Sequence, residues 1–161
     1  MSPIQTTMIQ SAKQQDFITL FQSYFQEFSM AAPLAMFDMM DRDIKSHGIK
    51  IMMGYESGHP IGFCMFQIDT HENPWCMKVG AGDIRELFII PGRRNQGYAT
   101  ILIEKVKAYF ITQGIHEILL TSDAHASFWK SNGFFPTGKT HPDNDGPIYR
   151  WFHDKSTLEE S

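Results

Sequence analysis

Apolar positions recur at spacings of three and four across residues 14–30, where Phe17, Leu20, Phe21, Tyr24, Phe25 and Phe28 make one helical face. A second helical stretch starts at Pro33, with Met36, Phe37, Met40 and Ile44 on one side, and His47-Gly48 closes it. Ahead of both, residues 4–10 are uncharged and read as a first strand. From Ile49 the period shortens. The apolar runs at residues 49–56 and 61–68 flank the turn-forming Ser57-Gly58-His59-Pro60 and predict an antiparallel hairpin. Residues 69–82 hold Asn73, Pro74 and two glycines and predict a loop, with a strand beginning near Trp75. Residues 84–90 form the next apolar run and stop at Pro91-Gly92.

Residues 95–113 return to helical spacing, with Ile101, Leu102, Val106, Tyr109 and Phe110 on the apolar side and Gly114 as C-cap. Residues 115–121 predict a strand. Residues 124–132 predict a short helix that Gly133 ends and that Ser122 or Asp123 caps. Residues 134–139 and 147–153 close the chain as a pair of strands joined by a turn-rich segment at 141–146. The order is β-α-α-β-β-β-α-β-α-β-β. Its strand-helix-strand unit over residues 84–121 implies a parallel pair with a right-handed crossover, and the hairpins imply antiparallel pairs. The expected fold class is α/β (α+β): a mixed, mostly antiparallel central sheet with helices on both faces, in one domain over residues 1–161.

Composition narrows the function. Hydrophobic residues make up 42% of the 161, enough for a packed core. Lys and Arg number 14 against 18 Asp and Glu, a net charge of −4, so no basic excess is there to neutralise nucleic-acid phosphates. Two cysteines, Cys64 and Cys76, are too few for a disulfide framework and read as reduced and half-buried. Residues 1–15 lack a basic segment followed by an apolar run, and the longest nearly apolar run, residues 30–37, is too short to span a bilayer. A soluble, cytoplasmic protein without nucleic-acid or membrane partners is expected. The seven histidines are scattered and no Cys-x-x-Cys occurs, so no metal is expected.

The informative segment runs from Glu86 to Thr100: a strand, a short loop, and a helix that begins at a glycine-containing stretch. The amides of Gln96, Gly97, Tyr98 and Ala99 would be first-turn donors without an intrahelical acceptor. Gly97 lacks a Cβ and Ala99 is small, so a phosphate can approach the backbone. Arg93 and Arg94 add charge at the mouth, and together these groups suit a pyrophosphate. A chance glycine beside two surface arginines is the structural alternative. No Gly-Lys-Ser/Thr follows and the three-glycine dinucleotide pattern is absent.

Arg94-Asn95-Gln96-Gly97-Tyr98-Ala99 resembles motif A of the GNAT superfamily of N-acetyltransferases, Arg/Gln-x-x-Gly-x-Gly/Ala. The segment Leu87-Phe88-Ile89-Ile90-Pro91 is similar to that family's fourth strand, and the segment from Ser127 to Phe134 to its motif B, which ends in Gly-Phe. The resemblance is strongest over residues 83–138 and architectural before that. It implies acetyl-CoA (CoA) as cofactor, with the pyrophosphate on the amides of residues 96–100 and the pantetheine between splayed strands at 87–90 and 117–121. Main-chain groups of Phe88 and Ile90 would bond the pantetheine amides, and one strand amide would face the oxyanion of the tetrahedral intermediate. The implied cofactor-binding set is Phe88, Ile89, Ile90, Arg93, Arg94, Asn95, Gln96, Gly97, Tyr98, Ala99, Thr100, Phe128 and Trp129.

Amide formation from an alkylamine needs a group that takes a proton. Glu86 is the first candidate, being in the strand beside the expected thioester; an ion pair with Arg85 or a lysine is its structural alternative. Asp83 is the second, placed on the opposite strand face by the side-chain period of two. Trp129 stands where many family members carry a Tyr as general acid, and an indole cannot protonate a thiolate. Ser127, Ser131, Tyr98, Tyr149 or water is left for that role, and Trp129 and Phe128 read as packing groups. His125 beside the motif B helix could touch substrate or cap. The Phe and Met residues of 25–40 could in part line an adaptable pocket. Asp38, Asp41 and Asp43 could attract a cation or simply form a solvated face. The expected partner is a small-molecule or peptide amine. A homodimer through the closing strands stays open by analogy with the family. Two alternatives to the enzyme are a CoA-binding module of the same fold and an ATP- or NAD-binding protein using the same loop.

Overall fold

The computed structural model describes residues 4–73 and 75–153. Seven strands form one sheet in the order β1-β2-β3-β4-β5-β7-β6. In chain order the elements are β1 (Ile4–Met8), α1 (Gln15–Gln26), α2 (Leu34–Ser46), β2 (Lys50–Glu56), β3 (His59–Ile68) and β4 (Gly82–Ile89). Then come a 3-10 turn (Pro91–Arg93), α3 (Tyr98–Thr112), β5 (Glu117–Thr121), α4 (Ala126–Ser131), β6 (Phe135–Thr140) and β7 (Pro147–Phe152). This is the order the periodicity predicts, and the fold is a mixed sheet with helices on both faces.

Each face has its own core. Phe17, Phe21 and Phe37 of α1 and α2 pack on Ile51, Met53 and Phe63 of β2 and β3. On the other face Leu102, Ile103, Val106 and Phe110 of α3 pack on Phe66 and Ile118. Phe17 meets Phe63 edge-on with ring centroids 5.3 Å apart, and the aromatic row continues along α1 to Tyr24, 5.5 Å from Phe88. Tyr24 is thereby held at the end of β4 that carries the site.

Two details of β4 create the cleft. Against β3 it pairs Met65 with Glu86 but Phe66 with Ile84, so Arg85 is an extra, bulged residue. A bulge bends its strand and increases the local twist. Against β5, the only parallel neighbour, β4 pairs just at Gly82 with Ile118 and Asp83 with Leu119. Beyond those two residues β4 and β5 diverge, and β5 is held instead by β7 through five pairs.

Several expectations are corrected. Among the described residues no strand forms near Trp75; residues 69–73 and 75–81 are turns, bends and irregular chain, and Trp75 takes φ 69° and stacks on His141 at 4.2 Å. A left-handed residue interrupts the extended backbone that ladder pairing needs. Pro74, counted with that loop, lies outside the described residues. The helix expected from Asn95 starts at Tyr98, because Asn95 and Gly97 are left-handed at φ 61° and 86°. Neither Ser122 nor Asp123 caps α4: its N-cap is His125, with no side-chain cap bond, and Ser122 Oγ donates to the Ala124 carbonyl instead. Cys64 is fully buried rather than half-buried, and burial pushes its thiol pKa up.

Candidate active site

The divergence of β4 and β5 opens a cavity of about 770 Å³, lined by Leu87 of β4, Leu120 of β5 and Phe128 and Trp129 of α4 among others. At one end stands the start of α3. The 3-10 turn and the left-handed Asn95 fold the chain back so that Gly97, also left-handed, forms the N-cap. A Cβ built on Gly97 meets nothing within 4 Å. The first intrahelical bond runs from Ile101 N to Gly97 O at 3.1 Å, so the amides of Tyr98, Ala99 and Thr100 have no intrahelical acceptor. A helix N-terminus with open space over a glycine suits a phosphate group.

Of the expected cofactor-binding residues, Phe88, Ile89, Arg93, Arg94, Asn95, Gly97, Tyr98, Ala99, Thr100, Phe128 and Trp129 line this cavity, whereas Ile90 and Gln96 do not. Gln96 is exposed, and its Nε2 donates to the Gly92 carbonyl within the loop at 3.4 Å. The Ile90 amide donates to the Ile61 carbonyl at 2.9 Å. Since antiparallel ladders alternate, the main-chain groups of Phe88 also face β3, and those of Leu87 and Ile89 face the gap. The main-chain role expected of Phe88 and Ile90 therefore has its geometry at Leu87 and Ile89.

The two loop arginines are not free. Arg93 Nε donates to Glu56 at 2.7 Å. Arg94 donates to Glu27 at 2.6 Å and to the Ile89 carbonyl at 2.8 Å, with its guanidinium 5.6 Å from the Phe88 ring centre. The Tyr98 hydroxyl also donates to Glu56. These bonds brace the loop against β2, β4 and the end of α1. Trp129, 8% exposed, packs edge-on against Phe128 and Phe134. Among the candidate acids only Tyr98 lines the cavity; Ser131 Oγ donates to the Phe128 carbonyl, Tyr149 is in the core and Ser127 is exposed. His125 does line it.

Glu86 lies in the wall of this cavity and of a second one, of about 300 Å³, between β4 and the first two helices. Tyr24, Phe28 and Arg85 share that double position. The Tyr24 hydroxyl donates to Glu86 Oε2 at 2.5 Å, so the carboxylate is hydrogen-bonded rather than ion-paired. Burial raises the Glu86 pKa above the ordinary value, while the Tyr24 bond and the Arg85 charge pull it down. The second cavity is walled by Met30, Met36, Met39, Met40 and Met65 together with Phe21 and Phe25. The acidic cluster of α2 divides: Asp38 pairs with Lys13, Asp41 is buried and bonded to Ser11 and Lys45, and only Asp43 reaches this cavity.

Asp83 is placed differently from Glu86, but not on the opposite face. The Arg85 bulge restores the phase, so Asp83 opposite Gln67 and Glu86 opposite Met65 point to the same side. Asp83 is fully buried, lines neither cavity, and its carboxyl oxygens have no hydrogen-bond partner among the described residues. Burial, and then the neighbouring Asp69 charge, push its pKa up to about 9. The folded protein thus keeps a proton there that the unfolded chain releases. Stability conferred by that proton is complete below the ordinary value of 3.8 and is lost as pH rises toward about 9. Asp83→Asn is expected to remove a slope of up to about 1.4 kcal/mol per pH unit. Unfolding midpoints of the two proteins, compared from mildly acidic to mildly alkaline pH, should separate progressively; parallel curves would contradict this.

Residues 15–134 match the acetyltransferase (GNAT) family, and the chain belongs to it. No match was found among curated proteins. The fold is similar to PaiA N-acetyltransferase from Thermoplasma acidophilum in complex with coenzyme A: 14% identity, TM-score 0.66, covering 94% of this chain and 99% of that one. It is also similar to a GNAT-family acetyltransferase from Staphylococcus aureus Mu50, at 17% identity and TM-score 0.67, covering 94% and 100%. A ribosomal-protein-alanine N-acetyltransferase from Brucella melitensis biovar Abortus 2308 matches at 16% identity and TM-score 0.56, covering 73% and 79%. At these identities the likeness is one of fold. The family uses acetyl-CoA, and the residues at the first cavity fit it: free helix-start amides, a glycine with open space above it, and a gap between diverging strands. Among the described residues no helix is long and apolar enough to cross a membrane.

Tyr24, Glu27 and Arg85 were not foreseen as site residues, whereas Phe28, among the Phe and Met residues expected in part to line a pocket, does line both cavities. Tyr24 carried one signal, the only hydroxyl on an otherwise phenylalanine-rich helix face, where a buried tyrosine needs a polar partner.

Proposed function

We propose that this protein is an N-acetyltransferase that moves the acetyl group of acetyl-CoA to a primary amine by direct attack in a ternary complex. The observation that carries this reading is Glu86 at the junction of the two cavities, one shaped for the cofactor and one separately walled. Bound acetyl-CoA supplies the thioester carbon that the amine attacks. The amides of Tyr98, Ala99 and Thr100 hold phosphate oxygens at the helix start. The Leu87 main chain and the Ile89 amide offer hydrogen bonds along the gap, the Ile89 carbonyl already accepting from Arg94. Glu86 takes the proton that an alkylammonium must lose, and Tyr24 orients its carboxylate. Proton removal is assigned to Glu86 and not Asp83, because Asp83 lies outside both cavities. A CoA thiolate leaves without a dedicated acid, consistent with Trp129 at the position where an acid was sought.

Thermal unfolding with acetyl-CoA, CoA, ATP and NAD tests the cofactor. A ligand at about a hundred times its dissociation constant adds roughly 2.7 kcal/mol of stability. Stabilisation by acetyl-CoA and CoA but not by ATP or NAD is expected, together with thiol release when an amine panel is supplied. Stabilisation without turnover of any amine would leave a CoA-binding module, and no stabilisation would overturn the reading.

A further inference from the structure

Arg85 is the one charged group at the cavity junction to which acetyl transfer itself assigns no task. It is the bulged residue of β4, and the bulge turns its side chain to the Glu86 side, where it lines both cavities. Arg93, Arg94 and Arg150 are each paired with a glutamate, whereas Arg85 makes no ion pair among the described residues. Its position is nevertheless fixed. Arg85 Nη1 donates to Gln67 Oε1 at 2.9 Å, and Gln67 Nε2 donates to Asp69 Oδ1 at 2.7 Å, both partners of that second bond being buried. One side of the guanidinium is anchored and the rest of its donor fork is left for an anion.

Around it the second cavity sorts by polarity. Glu86 and Asp43 supply negative charge, Arg85 positive charge, and the methionines an adaptable apolar wall. At about 300 Å³ it has the size of a small-molecule pocket. Its mouth is apolar, with Phe28 and Met30 59% and 58% exposed. A simple amine or a polyamine has nothing to offer Arg85, and a peptide N-terminus carries an amide where an anion is wanted.

We propose that the acceptor is a free α-amino acid with an apolar side chain. Arg85 holds its carboxylate, Glu86 receives the proton from its α-amine, and the methionines hold its side chain. This rests on the acetyltransfer reading above. Glu86 takes one proton from the α-ammonium and passes it to solvent; the neutral nitrogen bonds the acetyl carbon, the carbon–sulfur bond breaks with its electron pair going to sulfur, the nitrogen's second proton is lost to water while the thiolate takes one from water, and the products are an N-acetylamino acid and CoA.

The test compares L-phenylalanine with phenethylamine, L-leucine with isopentylamine, and both with spermidine and a short unblocked peptide. The expected result is a kcat/KM for the amino acids at least about 30-fold above that of their decarboxylated partners, the range of one charged hydrogen-bonded contact. In Arg85→Gln the KM for L-phenylalanine should rise and that ratio should collapse, while acetyl-CoA still stabilises the protein. Hydrocinnamate, which has the carboxylate but no amine, should inhibit the wild-type enzyme competitively against the amino acid; this arm does not depend on the variant folding. Preference for phenethylamine, spermidine or the peptide, a ratio unchanged in Arg85→Gln, loss of acetyl-CoA binding in that variant, or no inhibition by hydrocinnamate would overturn the assignment and leave acetyl transfer standing. Absence of acetyl-CoA stabilisation in the wild type would instead overturn the underlying reading.

Discussion

Gly97→Val is expected to lower the affinity for acetyl-CoA by about a hundred-fold or more, close to 2.7 kcal/mol. Two effects act together. Gly97 sits at φ 86°, where a β-branched residue is strained. Its Cβ direction is empty of protein, so the valine methyls would occupy the space that a phosphate needs. Gly97→Ala, with one carbon in the same place, should lose less. Calorimetric titration of acetyl-CoA checks both, and the unfolding midpoint without ligand shows that the fold persists. An affinity unchanged in the valine variant would mean that the phosphates lie elsewhere.

Glu86→Gln should lower kcat by about two to three orders of magnitude, the range for a positioned general base, while acetyl-CoA binding is retained. Gln is isosteric and keeps an acceptor for the Tyr24 hydroxyl, so packing is preserved. The pH profile carries the mechanism. Burial raises the Glu86 pKa, so the wild-type rate should fall as pH drops through a pKa raised from the ordinary glutamate value. That acid limb should vanish in Glu86→Gln. Tyr24→Phe removes a bond that favours the charged carboxylate, so its acid limb should move to higher pH. Near-normal kcat in Glu86→Gln, or a limb that Tyr24→Phe does not move, would transfer the base role to another group.

What the sequence made legible was local. The spacing of Phe17, Leu20 and Phe21 gave α1, and that of Leu102, Val106 and Phe110 gave α3, because a helix repeats its buried face within a few residues. The loop around Gly97 was legible for the same reason: a strand end, a glycine and a helix start are neighbours in the chain. Exact boundaries were not. The left-handed Asn95 and Gly97 shorten α3 by three residues at its start, and period alone does not register a backbone reversal.

The side-chain period failed at one place, and that place organises the site. Counting by twos put Asp83 and Glu86 on opposite faces; the extra residue at Arg85 brings them to the same face, bends β4, and sends the Arg85 side chain to the cavity junction. A bulge arises from how β3 and β4 pair, which no window of one strand contains.

The amino-acid sequence by itself determined the order of elements, the two apolar helix faces and the phosphate-type loop, since each depends on interactions within a few residues. Only the tertiary structure decided that Tyr24 meets Glu86 across 62 positions, that Arg93 and Arg94 are committed to glutamates, and that methionines of α2 wall a second cavity. Those contacts are set by the docking of α1 and α2 on the bulged sheet, a product of packing rather than of local period.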